Sequence, residues 1–313
     1  MNHEALEDDD LIFVSRVRSL LDDPSVFMRD VAHGRLVRLR RGVFVRQELW
    51  TSSTPRARHL LRARAVMGSA RRPIALAGVS AAALWGMPVA GAWPADVTVL
   101  DEWQGGGRAE PGVRRTAAGF QTARIVEIEG LRVTDLTRTA IDVARRTTFA
   151  DAVGSLDWAL WRKNPHHVTK QMLTADIYNL DKSLGRRLLE RAVDFATERS
   201  DSFGESECRA VIHLLGFDAP ELQVEFHDEQ GPMYPDFYWS GIRSAAEFDG
   251  KSKYTRNEFT NGNPAEVVWR EKQREDRLRR QLMGMTRILT SDVKHPERLI
   301  RLLQNLGVPR GGR

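Results

Sequence analysis

The stretch Pro235-Asp-Phe-Tyr-Trp-Ser-Gly-Ile-Arg-Ser-Ala-Ala-Glu-Phe-Asp-Gly-Lys-Ser-Lys253 decides the fold of the last third of this chain. Aromatic and apolar residues on either side of Ser240-Gly241 predict two antiparallel strands joined by a tight turn. Such a pair can place Asp236 and Glu247 opposite each other, with both side chains on one face. Proteins bind Mg²⁺ through one or two carboxylates and leave water and phosphate to complete the shell. The hairpin therefore predicts a site for a divalent metal.

The residues around this hairpin predict an α/β unit over residues 197–313, with the order αβββαβ and a closing helix. Ser202-x-x-Glu205 is a capping box, which signals the start of a helix that runs to Gly216. The other expected elements are strands over Leu222–Phe226, Met233–Trp239 and Ile242–Phe248, a helix over Pro264–Met283, a strand over Met285–Leu289 and a helix over Pro296–Leu306.

Charged side chains near the hairpin are candidates for hydrolytic chemistry. Metal-bound water is a stronger nucleophile, and a lysine such as Lys251 or Lys253 can orient it or stabilise developing charge. Glu247 ends a small apolar run, where an unpaired carboxylate would be costly, and this favours a functional role over a solvent-facing one. Glu205 has two equal interpretations, an acid of the site or a helix-capping acid paired with Arg209.

Several segments of residues 197–313 resemble the PD-(D/E)XK nucleases, and more closely the branch near the very-short-patch-repair endonucleases of bacteria. The matching segments are Gly204-Glu-Ser-Glu-Cys-Arg209, Gln223, Pro235-Asp236, Ala246-Glu-Phe-Asp-Gly-Lys251, Glu271-Lys-Gln-Arg-Glu-Asp276 and Met285-Thr-Arg-Ile-Leu289. The resemblance implies a restriction-endonuclease-like fold and phosphodiester hydrolysis with Mg²⁺, or with Mn²⁺ in its place. It implies Asp236 and Glu247 as metal ligands and Glu205 as the acid on the first helix.

Asp249 stands where that family carries the lysine of its E-x-K motif. The lysine then has to come from Lys251, Lys253 or the later helix, and Asp249 joins the catalytic candidates. The same departure admits an inactive member of the family.

Positive charge is concentrated in one short region near the N-terminus. Residues 1–30 hold eight acidic and three basic side chains, whereas residues 31–72 hold eleven arginines against one acid, Glu48. Such a concentration is costly unless a polyanion meets it, and the guanidinium fork matches phosphate oxygens two at a time. Nucleic acid is therefore favoured over a solvated basic face. The DNA-binding candidates are Arg35, Arg38, Arg40, Arg41, Arg46 and Arg56.

A winged helix-turn-helix is predicted over residues 1–72, because small helices lead into a basic hairpin that turns at Arg41-Gly42. Its expected elements are a helix over Leu11–Leu21, a helix over Ser25–His33, a hairpin over Arg35–Val45 and a basic helix over Arg56–Met67.

A separate α/β domain is predicted over residues 73–196. Its expected elements are a helix over Ala75–Trp85, a strand over Asp96–Leu100, a hairpin over Arg124–Thr134, helices over Thr137–Arg146 and Asp151–Trp161, and helices from Thr169 and Gly185.

Residues 11–195 are similar to the AbiEi-type antitoxins of bacterial abortive-infection and toxin–antitoxin systems. The matching segments are Arg38-Leu-Arg-Arg-Gly-Val-Phe-Val45, Gly78-Val-Ser-Ala-Ala-Ala-Leu-Trp-Gly86 and Val133-Thr-Asp-Leu-Thr-Arg-Thr-Ala-Ile-Asp-Val-Ala144. The resemblance implies a winged-helix DNA-binding module and, in antitoxins, autorepression of a two-gene operon.

Composition excludes several classes of protein. The chain has 313 residues and one cysteine, which excludes a disulfide framework and a Cys-rich zinc site. No stretch approaches the roughly 18 consecutive apolar residues of a membrane span, and the acidic N-terminus is unlike a signal peptide. We therefore expect a mixed α/β (α+β) multidomain protein of the cytoplasm, with no membrane partner.

Three functions remain open from the sequence. The leading hypothesis is a bacterial DNA-binding endonuclease that depends on Mg²⁺ and serves phage defence or DNA processing. The alternative is a non-catalytic AbiEi-type antitoxin and transcriptional repressor of a toxin–antitoxin operon, with a cognate toxin as its partner. The third is a partner-binding protein that neutralises a nucleotidyltransferase-type toxin. An overlapping downstream toxin gene favours the antitoxin, and a lone gene favours the nuclease.

Overall fold

The computed structural model describes residues 10–17, 25–102, 110–117, 119–179, 185–250 and 264–311. The chain divides into two units, Met1–Thr147 with Val168–Glu190 and Thr148–His167 with Arg191–Arg313. Both units combine helices with small sheets, which confirms the expected mixed α/β class. The division differs from the boundaries expected after residues 72 and 196. No helix in the described ranges is both long enough and apolar enough to cross a membrane.

The elements are numbered in chain order. The described helices are α1 (Val14–Val17), α2 (Val26–Ala32), α3 (Gln47–Ser52), α4 (Pro55–Gly68), α5 (Gly78–Trp85), α6 (Leu136–Ala144), α7 (Phe149–Leu160), α8 (Lys170–Asn179), α9 (Arg186–Phe195), α10 (Phe203–Leu214), α11 (Pro264–Arg279), α12 (Thr290–Val293) and α13 (Pro296–Leu306). The described strands are β1 (Leu11–Phe13), β2 (Leu36–Arg40), β3 (Val43–Arg46), β4 (Ala75–Leu76), β5 (Val97–Leu100), β6 (Val113–Thr116), β7 (Ile125–Ile128), β8 (Leu131–Thr134), β9 (Phe226–Asp228), β10 (Gly231–Met233), β11 (Phe237–Trp239), β12 (Ser244–Asp249) and β13 (Gly284–Leu289).

The first unit begins with a small antiparallel sheet in the order β1-β3-β2. The expected hairpin forms its outer part, and Gly42 at the turn has a φ of 73°, which glycine adopts at little cost. The apolar side chains of the hairpin are buried or partly buried, whereas Arg38 and Arg46 are exposed. The hairpin therefore presents arginine to solvent on an apolar support.

The helix expected over Leu11–Leu21 is wrong in its first turn. Leu11 and Phe13 belong to β1, where they pair with Val45 and Val43 of β3 and are buried in the same core as α4. A short apolar run is compatible with a helix or a strand, and pairing with β3 decides for the strand. Of the expected helix, the described residues contain α1 alone.

A five-stranded sheet with the order β6-β5-β4-β8-β7 forms the centre of the first unit. β4 has only two residues, yet Leu76 pairs with Val99 on one side and with Val133 on the other. The helix expected over Ala75–Trp85 therefore begins late, at Gly78. Apolar residues from both regions expected to be separate domains pack into one core with α4 and α5.

The second unit is built around a three-stranded sheet in the order β11-β12-β13. β11 and β12 are antiparallel, and β12 and β13 are parallel and joined in sequence by α11. The predicted capping box opens α10, where Ser202 Oγ accepts the backbone N–H of Glu205 at 3.2 Å. Phe248 of β12 and Ile288 of β13 are buried together with apolar residues of α10 and α13.

Two strand predictions in the second unit are wrong. The segment Leu222–Phe226 is interrupted because Gln223 has a φ of 56°, and only Glu221 bridges to Tyr238 of β11. The segment Met233–Trp239 is two strands rather than one. Its first residue, Met233, ends β10, which pairs with β9, and its last three residues, Phe237–Trp239, form β11.

Candidate functional site

Asp236 and Glu247 lie on neighbouring strands at one end of the β11–β12 pair. Phe237 pairs with Ala246, so the register carries Asp236, which precedes β11, next to Glu247 in β12. The backbone N–H of Phe248 donates to Asp236 Oδ2 at 2.7 Å and joins the strands beyond that pair. The register thus places opposite each other the two residues that the sequence singles out as metal ligands.

Glu247 is buried and has an arginine beside it. Glu247 is 6% exposed, and Arg274 Nη2 of α11 lies 3.1 Å from Glu247 Oε1. Arg274 Nη1 also donates to the backbone oxygen of Tyr234 at 3.3 Å, just before β11. Because a buried carboxylate is costly without a compensating charge, the ion pair with Arg274 offsets part of the cost of burying Glu247.

Glu205 lies at the start of α10, and its carboxylate is used in helix capping. Ser202 Oγ donates to Oε1 at 2.8 Å, and the Asp201 backbone N–H donates to Oε2 at 3.1 Å. The preceding residue, Gly204, lies against the ring of Phe248, where a Cβ atom would overlap the ring. The close approach fixes the start of α10 on β12, beside the residue that bonds Asp236.

Asp249 belongs to a charged network between β12, β13 and α11. Arg287 Nη1 lies 3.3 Å from Asp249 Oδ2, and Arg287 Nη2 lies 2.7 Å from Glu275 Oε2. A hydrogen bond from Arg279, together with that from Arg287, outweighs burial and lowers the pKa of Glu275. Lys251 and Lys253, the two lysine candidates, lie outside the described residues.

Whether Asp236 and Glu247 can hold a metal ion depends on the type and number of ligand atoms that they offer. Within the described ranges, no group of three or more histidine, cysteine or acidic side chains is placed to hold a metal. Mg²⁺ needs only one or two carboxylates, with water and phosphate as its other ligands. Asp236 and Glu247 therefore fit it in donor type and number. A metal at Glu247 would share that carboxylate with the guanidinium group of Arg274.

Three of the six arginines proposed to bind DNA are available at the surface. Arg38, Arg41 and Arg46 are exposed on the β2–β3 hairpin and make no ion pair with any described residue. Exposed guanidinium groups without a carboxylate partner can bind phosphate oxygens without first losing an ion pair. These three form the basic surface of the hairpin.

The other three arginines already have partners inside the protein. Arg35 pairs with Asp30, and Arg40 pairs with Glu110. Arg56 Nε donates to the Ala83 backbone oxygen at 2.8 Å, and burial lowers its pKa despite the attraction of Glu129. Their positive charges are partly used in holding the first unit together.

A longer network ties the hairpin to the edge of the five-stranded sheet. Arg115 bridges Glu110 and Asp101, with Nη2 2.6 Å from Glu110 Oε2 and Nη1 2.5 Å from Asp101 Oδ2. Arg72 Nη2 also lies 2.7 Å from Asp101 Oδ2. Burial would raise the pKa of Glu110, but hydrogen bonds from Arg115 and Arg40 outweigh it and lower that pKa. The network orients the hairpin by charge as well as by packing.

Arg274 is the residue of this site that sequence reasoning missed. Glu275 and Arg279 of the same helix pair with each other at 2.7 Å. Arg274 points elsewhere and reaches Glu247. Its position within the quoted segment Glu271–Asp276 was the available signal, but a basic residue in a charged helix gives no sign of its partner.

The comparisons with known proteins identify relatives of the chain by sequence. No family model matches the chain. Two proteins from two strains of Mycobacterium tuberculosis, the uncharacterized proteins MT2308 and Rv2248, are each 31% identical to it over 202 residues. The match covers 61% of this chain and 69% of each relative. The chain belongs to the family of these uncharacterized mycobacterial proteins.

Proposed function

We propose that this protein binds DNA in the cytoplasm and hydrolyses phosphodiester bonds as a metal-dependent endonuclease, in phage defence or DNA processing. The observation that carries the proposal is the placement of Asp236 opposite Glu247 at one end of the β11–β12 pair. The start of α10 packs against β12 at Phe248. Asp236 and Glu247 supply two carboxylates at one end of this strand pair, and two carboxylates are enough protein ligands for Mg²⁺.

The arrangement of the second unit supports a restriction-endonuclease-like domain. A helix with a capping box precedes an antiparallel strand pair, and a helical crossover leads to a strand parallel to the second of that pair. This agrees with the αβββαβ order, although its first strand is reduced to the bridge at Glu221.

In this proposal Asp236 and Glu247 hold Mg²⁺ or Mn²⁺. The bound ion would supply a stronger water nucleophile and would neutralise charge on the phosphate under attack. Arg274 lies beside Glu247 and adds a positive charge where a phosphate approaches. Phe248 fixes the orientation of Asp236 through its backbone N–H. Glu205 fixes the start of α10, and Asp249 is kept in place by Arg287.

The first unit supports DNA binding through a winged helix. Its three strands have the order β1-β3-β2, with α1 and α2 between β1 and β2 and with the arginine hairpin as the wing. In winged-helix proteins the wing contacts phosphates and a helix reads bases. Here the exposed arginines are on the hairpin, so we propose contacts mainly to the DNA backbone.

A second candidate is a non-catalytic antitoxin and repressor whose nuclease-like unit is a binding surface. The specific observation in its favour is that Arg274, a fixed cation, already lies beside Glu247. Asp249 at the family's lysine position agrees with it. The two candidates share DNA binding and differ only in hydrolysis.

Cleavage of supercoiled plasmid and of labelled oligonucleotides with Mg²⁺ or Mn²⁺ tests the proposal. Asp236→Asn and Glu247→Gln are expected to lower the rate at least about 100-fold, because each removes a charge that would hold the metal. The matched control is Glu198→Gln, which removes an exposed carboxylate of the same unit outside the site and should leave the rate unchanged.

Each variant is checked for folding by circular dichroism and for DNA binding. Metal-dependent cleavage that survives in both site variants contradicts the assignment of Asp236 and Glu247. Absence of cleavage in a wild-type protein that binds DNA in a salt-dependent way favours the repressor.

A further inference from the structure

A pocket with three arginines lies at the outer side of the three-stranded sheet. It has a volume of about 460 Å³ and lies between β13, α12 and α13. The residues that matter to its chemistry are Arg287 of β13, Asp292 of α12, and Arg298, Arg301 and Asn305 of α13. The residues named for the proposed metal site lie outside α13.

The helix α13 presents its polar side to this pocket for a simple reason. Leu299 and Leu303 are fully buried and anchor the opposite side of the helix in the core. Arg298, Arg301 and Asn305 follow one another at spacings of three and four residues, so they share one face. The core contact therefore aims this row of donors outward.

The positive charge of the pocket is only partly compensated. Arg287 is paired with Glu275 and Asp249, and Asp292 accepts the Leu289 backbone N–H at 2.9 Å in its capping role. Arg298 and Arg301 are exposed and make no ion pair with any described residue. A concave site with two uncompensated guanidinium groups and an amide favours an anion, and guanidinium groups bind phosphate with two hydrogen bonds at once.

The pocket is next to the candidate carboxylates. In the parallel pair of β12 and β13, Glu247 is opposite Arg287 and Asp249 is opposite Leu289, which also lines the pocket. Arg287 itself contacts both Asp249 and the pocket. Arg287 therefore connects the strand pair of the candidate carboxylates to the pocket.

We infer that this pocket binds a phosphate of the nucleic-acid strand that the second unit acts on. Arg298 and Arg301 bind the phosphate oxygens, Asn305 donates a further hydrogen bond, and Arg287 links the pocket to the site. The inference rests on the proposed function for its ligand, because it assumes that the second unit contacts nucleic acid. It adds a second contact point on that unit and names α13 as part of the interface.

Binding of a fluorescein-labelled DNA duplex to the full chain, without divalent metal and over a series of salt concentrations, tests the inference. The double variant R298Q/R301Q is expected to weaken binding and to make the slope of log affinity against log salt shallower by about 1, because the contact to one phosphate is lost. The matched control R162Q/R199Q removes two arginines of the same unit that do not line the pocket, and its slope should equal that of the wild type.

A slope for R298Q/R301Q equal to that of the control overturns the inference. It is also overturned if the wild type binds ATP, R298Q/R301Q does not, and both bind DNA equally, since the pocket then takes a free nucleotide. The assay measures binding alone, so it separates the two proposals. A shallower slope in a protein that cleaves nothing supports the pocket and contradicts the nuclease, whereas an unchanged slope in an active nuclease overturns the pocket alone.

Discussion

At the scale of the residue, the buried side chain of His59 depends on partners from distant parts of the chain. His59 of α4 is fully buried, with Nδ1 2.9 Å from the Pro94 backbone oxygen and Nε2 2.9 Å from Ser80 Oγ. The carbonyl can only accept, so Nδ1 carries the proton and Nε2 accepts from the Ser80 hydroxyl. Ser80 Oγ in turn accepts the Thr98 backbone N–H at 2.8 Å. A neutral imidazole with its proton on Nδ1 satisfies this chain of bonds, and burial favours that form.

Stability of the first unit should therefore fall in mild acid. Burial, with a smaller effect of Arg62, lowers the pKa of His59 from its ordinary 6.5, although the Pro94 carbonyl opposes this. Between the two pKa values, His59 is protonated in the unfolded chain and neutral in the folded protein. Above about pH 6.5, His59 does not lower the free energy of unfolding. Below about pH 6.5, the free energy of unfolding falls by up to about 1.4 kcal/mol per pH unit until the pH reaches the pKa of His59 in the folded protein.

Urea unfolding at about pH 7.5 and about pH 5.5 measures this loss. H59Q should be less stable at the higher pH by about 1–3 kcal/mol, because it disturbs buried hydrogen bonds, and its stability should depend less on pH. H33Q, which changes an exposed histidine of the same unit, should keep the wild-type pH dependence. Equal pH dependence in H59Q and the wild type would show that His59 is not the group responsible.

At the scale of the element, α7 and α10 are joined by a buried ion pair. Arg209 Nη2 lies 2.9 Å from Asp157 Oδ2, and both side chains are almost entirely buried. Asp157 Oδ1 also accepts the Thr197 backbone N–H at 2.7 Å, and the guanidinium group lies 4.2 Å from the centre of the Phe195 ring. The sequence suggested Glu205 as the partner of Arg209, but the structure shows Asp157, from a helix 52 residues earlier in the chain. The helix that carries Glu205 is thus positioned by α7.

Breaking this pair should destabilise the second unit more than removing both of its charges. R209M leaves a buried carboxylate without its counter-ion and should cost about 3–5 kcal/mol, whereas the double variant D157N/R209M, which keeps an acceptor for Thr197, should recover part of that loss. The chain's single cysteine, Cys208, is fully buried on α10, so its alkylation as urea increases reports the opening of this unit. A double variant as unstable as the sum of D157N and R209M would contradict a coupled ion pair.

At the scale of the whole molecule, charge is distributed so that each unit has its own arginine surface. The β2–β3 hairpin presents Arg38, Arg41 and Arg46 in the first unit, and α13 presents Arg298 and Arg301 in the second. Each surface stands on a well-packed apolar support, so its side chains can be changed without disturbing a core. Affinity for DNA should respond to each surface separately.

Replacing the hairpin arginines should weaken binding of every DNA sequence to a similar extent. R38Q/R41Q/R46Q is expected to make the salt slope shallower by about 3, because phosphate contacts carry affinity and no sequence information. The control R71Q/R146Q/R187Q removes three exposed arginines of the same unit outside the hairpin and should keep the wild-type slope. Loss of affinity for one DNA sequence alone would mean that the hairpin reads bases.

Local sequence signals predicted much of the fold. The hairpin around Gly42, the capping box at Ser202 and the β11–β12 pair are all present, because each depends on residues close in sequence. The two-residue strand β4 was not predicted, because a short buried apolar run is compatible with strand or helix until its neighbours are known. Gln223 interrupts an expected strand because its backbone is left-handed, and its side chain binds Asp201, 22 residues earlier in the chain.

By itself, the sequence determined that the chain is a mixed α/β protein, that arginine is concentrated on a hairpin, and that Asp236 and Glu247 occupy neighbouring strands. Periodicity, turns and caps encode these features within a few residues. Only the tertiary structure decided that Arg56 is half-buried, that Arg274 neutralises Glu247, and that Arg298 and Arg301 line a pocket. The physical reason is that a charge acquires its role from the partner that packing brings to it, and those partners lie far away in the sequence.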